Sequence, residues 1–129
     1  MSVFEIEAQR IRRRHGPLLR DGAPHPPGGC AFLDREGSCR IYEDRPYVCR
    51  TQGLPLRWIG EDDEGQDAEF RDICPLNETG GPPPEKLEAA ECWTIGPYEE
   101  RLASLQADLQ GAPAPGLELR RVALRSLFD

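Results

Sequence analysis

Residues 30–50 read CAFLDREGSCRIYEDRPYVCR and hold three of the chain's five cysteines, Cys30, Cys39 and Cys49. Ala31-Phe32-Leu33 is a short apolar run. Asp34 to Ser38 is a turn in which Gly37 takes a positive φ with no Cβ to penalise it. That turn predicts that Cys39 folds back toward Cys30. Ile41 and Tyr42 add a brief extended or helical piece, and Pro46 biases Arg45 away from the α region, so the chain bends again before Cys49. Two turns between three thiols predict a cluster.

Outward from this segment lie two more cysteines. Cys74, in FRDICPLN, follows Cys49 by enough chain for a hairpin excursion that returns, and Cys92 lies in EAAECWTIG. Four thiolates satisfy a tetrahedral zinc ion with no open position. Cys30, Cys39, Cys49 and Cys74 are the first choice, with Cys92 either replacing Cys30 or packing as a buried thiol. His25, between Pro24 and Pro26, is a candidate fourth ligand of a Cys3His site, set against a solvated loop histidine; His15 is the weaker candidate. An iron–sulfur cluster also takes four thiolates, but the spacing departs from ferredoxin patterns. No C-x-x-C pair supports dithiol redox chemistry.

At these residues the chain resembles the YkgJ-like cysteine-cluster family. A segment C-x-F-L-(acidic, Gly)-x-C-x-I-Y-E-x-R-P-x-x-C-R is matched by Cys30, Phe32, Leu33, Gly37, Cys39, Ile41, Tyr42, Glu43, Arg45, Pro46, Cys49 and Arg50. The likeness is strict over 30–50 and looser through Cys74. It implies a zinc- or iron-chelating domain. Family members usually carry an N-terminal group of closely spaced cysteines ending in a Cys-Cys pair, and no cysteine precedes Cys30 here. The resemblance then predicts one of two cases. Either the chain keeps one of two metal-binding elements, or it begins downstream of the start its relatives use, with Phe4 to Ile11 as the helix after the missing group. Similar domains are associated with flagellin lysine methylation, which admits a role in methyl transfer.

Composition bounds the rest. The 129 residues predict a single domain, 1–129, and 38% hydrophobic residues with 13 Gly and 13 Pro leave limited material for regular elements, which favours a cross-link. MSVFEIEAQRIRRR has no apolar stretch of signal-peptide length, and five cysteines leave one over in a disulfide scheme, so a cytoplasmic metal-binding protein is expected. No segment reaches the roughly 20 apolar residues of a membrane span. A net charge of −7 argues against nucleic-acid binding. The run Arg10, Arg12, Arg13, Arg14 is read as a solvated helix face or a partner for the acidic loop. Arg40, Arg45 and Arg50 either offset thiolate charge or pair with Asp34, Glu36, Glu43 and Asp44.

In chain order, Ser2 to about residue 15 reads as a helix capped by Ser2 and Glu5, with Phe4, Ala8 and Ile11 on one face and Gly16-Pro17 as its stop. Leu54 to Trp58 alternates as an edge strand, since Pro55 cannot donate a central ladder bond. Glu61 to Glu69 lacks calcium-loop placement and reads as a solvated hairpin or loop. After a rigid Gly80–Pro84 linker, a short helix is expected from Glu85 to about Trp93. A second runs from Pro97 to Gln110 with Tyr98, Leu102, Leu105 and Leu109 as its apolar stripe. The last segment, residues 117–129, is read as helix over strand.

The expected fold is a small α-rich domain, α+β being the alternative, stabilised by metal, with long irregular loops and a short hairpin or edge strand. The expected function is zinc binding, with iron as the other metal and the metal mainly structural. No phosphate loop, nucleophile elbow or H-E-x-x-H motif marks an enzyme. The alternatives are a metal-dependent oxidoreductase or methyl-transfer-associated protein, and an adaptor that binds a protein partner.

Overall fold

The computed structural model describes residues 1–111 and 118–129. Contacts divide the chain into one unit of Met1–Tyr47 with Leu102–Asp129 and another of Val48–Arg101.

In the first unit, β1 (Ser2–Phe4) pairs antiparallel with β5 (Arg121–Ala123), Val3 opposite Val122. α1 (Glu5–Arg14) follows at once, because Glu7 Oε2 accepts the Phe4 N–H at 3.1 Å and satisfies a donor the helix leaves over. The helix therefore starts after the expected Ser2, whose backbone is used by the strand. Ala8 and Ile11 are buried, as their spacing predicts. Gly16-Pro17 breaks α1 but also opens a second helix, α2 (Gly16–Asp21), with Pro17 in the first turn where no N–H is needed. The C-terminal segment, expected as helix, is β5 followed by a 3-10 stretch, Leu124–Phe128. Pairing with β1 takes the backbone groups that a helix would have used internally. Leu117 of that expectation lies outside the described residues. Phe32, 1% exposed, anchors the core, its ring tilted against Phe128 at 5.0 Å.

After α3 (Tyr47–Thr51), the second unit builds a three-stranded sheet. β2 (Leu56–Glu61) and β3 (Asp67–Asp72) form a hairpin, and β4 (Trp93–Thr94) lies parallel on the other side of β2. The expected edge strand is thus central. Pro55 is compatible with this because it sits just before β2 and contributes only its carbonyl, which accepts the Trp93 N–H at 2.8 Å. The middle of the acidic run is a hairpin turn, its ends lying in β2 and β3. Asp62 Oδ1 accepts the Glu64 and Gln66 N–H groups, each at 2.9 Å, and Gly65 adopts φ +75°. Trp58 and Phe70, opposite in register, stack at 5.7 Å.

Two expectations on helices change here. The helix expected before Trp93 is replaced by 3-10 turns at Pro84–Lys86 and Ala89–Glu91, since the Trp93 and Ile95 amides bond to Pro55 and Arg57 carbonyls. α4 (Pro97–Gln110) has the expected bounds, but its apolar stripe is largely exposed. Tyr98, Leu105 and Leu109 are exposed, while Gln106 is wholly buried. The α-rich expectation is corrected. Among the described residues the fold is mixed α+β, with four α-helices and five strands in two sheets.

Candidate metal centre

The central segment builds its first two thiols from a turn and two arginines. Asp34 Oδ1 accepts the Glu36 and Ser38 amides at 3.0 and 2.8 Å, and Gly37 takes φ +85°, as the sequence predicts. The chain returns so that Cys39 bridges antiparallel to Leu33. Arg40 then reaches back across the loop. Its Nη2 donates to the Ala23 and Ala31 carbonyls, both at 2.9 Å, and its guanidinium lies 5.3 Å from the centre of the Phe128 ring. Arg40 is thus neither the expected surface ion pair with Asp34 or Glu36 nor a solvated cation.

Cys30 sits at the exposed end of a loop that Arg125 clamps. The Arg125 guanidinium donates to the carbonyls of His25 at 2.6 Å and of Pro26 and Gly29 at 3.3 Å each. Cys30, Gly29, Met1, Leu124 and Arg125 border an open groove of about 330 Å³ in this unit. No local signal marks Arg125, whose partner His25 is 100 positions away. His25 donates its own N–H to Ala31 at 2.9 Å and packs its ring over Gly29, where a Cβ would lie 2.8 Å from it.

His15 is engaged by a carboxylate, its Nε2 2.9 Å from Asp44 Oδ2. Asp44, with a side chain 8% exposed, also pairs with Arg10 at 2.9 Å and Arg14 at 3.4 Å. Burial alone would raise its pKa. Hydrogen bonds from His15 and Arg10 and the charges of Arg14 and Arg10 outweigh burial and hold the carboxyl below its ordinary value. The arginine run of α1 is therefore partly a partner for the central segment itself. Arg45 stacks on Tyr42, 3.7 Å from the ring centre, and donates to the Tyr42 carbonyl.

The second unit holds the other three cysteines. Cys49 is half-buried in α3. Cys74 is exposed at the end of β3, where its carbonyl accepts the Asn77 N–H at 2.8 Å and starts a 3-10 turn. Cys92 is buried, and Arg71 Nη1 lies 3.5 Å from its sulfur while also donating to the Pro84 and Leu87 carbonyls. That arginine was not singled out by sequence, because its role depends on a chain return through four prolines.

Thiolates are suitable donors for zinc and iron. Among the described residues, however, no three His, Cys, Asp or Glu side chains are arranged to hold a metal ion. The expectation of a metal-stabilised fold is corrected to that extent. Also among the described residues, no helix is long and apolar enough to cross a membrane.

A family profile described as "CxxCxxCC: Putative zinc- or iron-chelating domain" matches residues 3–75, more than half of the chain. No curated protein and no solved structure matches.

Proposed function

The chain belongs to the CxxCxxCC family of zinc- or iron-chelating domains, and from that membership we propose that it binds zinc through Cys30, Cys39, Cys49 and Cys74, with a mainly structural role for the metal in the cytoplasm. The observation that carries this reading is the extent of the match. Residues 3–75 include those four cysteines and exclude Cys92. Cys92 is also the buried one, engaged by Arg71, which suits a packed thiol more than a ligand. Bound there, the ion would serve as a cross-link in segments rich in turns, and four thiolates leave no position open for substrate.

The test is metal analysis of protein purified without added metal, with an absorption spectrum, repeated on Cys39→Ser and Cys49→Ser. Near one zinc per chain, colourless and lost in both variants, supports the reading. Brown protein containing iron and sulfide would replace it with an iron–sulfur centre. Retention of zinc in both variants would remove those two cysteines from the ligand set, and wild-type protein without metal would overturn the reading.

A further inference from the structure

On α1 the spacing of Ile6, Gln9, Arg10, Arg13 and Arg14 places these residues beside Leu109 of α4, and together they line a groove of about 440 Å³ within the first unit. The helices flanking it are tied by Gln106, whose Oε1 accepts the Ile6 N–H at 2.9 Å. Three guanidinium groups stand here against one carboxylate. Arg10 and Arg14 share Asp44, and Arg13 has no hydrogen-bond or ion-pair partner among the described residues. The groove is thus locally cationic on a chain of net charge −7. Its far border is Leu109, 41% exposed, and Leu105, one turn earlier on α4, extends the apolar surface beyond the groove at 43% exposed.

We propose that this groove docks an acidic peptide segment of a partner protein. Aspartate or glutamate side chains would meet Arg13 and the outer faces of Arg10 and Arg14, and one aliphatic side chain would rest on Leu105 and Leu109. Guanidinium forks match carboxylates in shape and charge. The two leucines favour a peptide over a nucleic-acid backbone, whose phosphates would leave them uncovered, and the overall negative charge repels a long polyanion. This inference needs no metal and stands apart from the chelation reading.

The probe is a fluorescein-labelled helical peptide of repeating leucine and glutamate, titrated with the full chain and followed by fluorescence anisotropy. Binding should weaken with added salt, and should fall about tenfold in Arg13→Glu and about tenfold in Leu109→Ser. Because Arg13 takes no part in the Asp44 cluster, its variant should keep the wild-type circular dichroism spectrum. Absence of binding would overturn the proposal. So would equal affinity for polyglutamate without leucine, or tighter binding of a single-stranded oligonucleotide. Self-association of the unliganded chain that Arg13→Glu abolishes would assign the groove to a second copy and overturn it too.

Discussion

Asp44 joins the central segment to α1 through Arg10, Arg14 and His15. Its carboxyl is held below the ordinary value of 3.8, so the folded state binds that proton more weakly than the unfolded state. The stability this contributes is present above the unfolded pKa and is lost as pH falls through the lowered folded value. Thermal melts from neutral pH down to about pH 2 should show a plateau followed by an acid decline. Asp44→Asn should lower the neutral-pH Tm by several degrees and flatten part of that decline. A variant with an unchanged acid slope would show that other carboxylates carry it. The sequence marks Asp44 as a counter-charge for the arginines near it in the chain. Its actual partners come from a helix some thirty positions earlier, a distance that only folding removes.

At the scale of elements, α4 shows how a well-bounded helix can bury an unexpected face. Pro97 and the acidic first turn mark its start, and Gly111, at φ +79°, follows its end. The buried position is Gln106, because the start of α1 presents an amide that needs an acceptor. Gln106→Leu keeps the volume but leaves the Ile6 N–H without that acceptor. It should cost about 1–3 kcal/mol in urea unfolding. Gln106→Glu retains an acceptor and should cost less. Equal losses in the two would mean that packing, and not the hydrogen bond, is what the residue supplies. The same logic explains β2. Alternation in Leu54 to Trp58 reveals a strand, but whether it is central depends on Trp93 arriving beside it, which no pattern near Pro55 encodes.

At the scale of the whole molecule, the metal reading makes the largest demand. If zinc is structural, chelator-treated protein should melt about 10 °C or more below untreated protein, and added zinc should restore the transition. Circular dichroism melts before and after chelation, with metal content measured on both samples, decide this. A chelated sample shown to be metal-free yet unchanged in Tm would end the structural role. The experiment matters because both units are already furnished with non-metal ties. Arg40 and Arg125 gather loop carbonyls in one, and Arg71 does so in the other.

The sequence by itself determined the family segment at 30–50, the Gly37 turn, a solvated hairpin or loop at Glu61 to Glu69 and the bounds of α4. These are local, set by positive φ, side-chain-to-backbone bonds and helix end signals within a few residues. Only the tertiary structure decided that the C-terminal segment is a strand and a 3-10 stretch, that β2 is central, that Asp44 gathers Arg10 and Arg14 of α1, and that Arg125 holds the loop before Cys30. Each of those depends on backbone or charged groups that satisfy one another across long stretches of chain, up to the pairing of Ser2 with Ala123. Such partners leave no periodic trace near either residue, because the hydrogen bond exists only once the chain has brought both ends together.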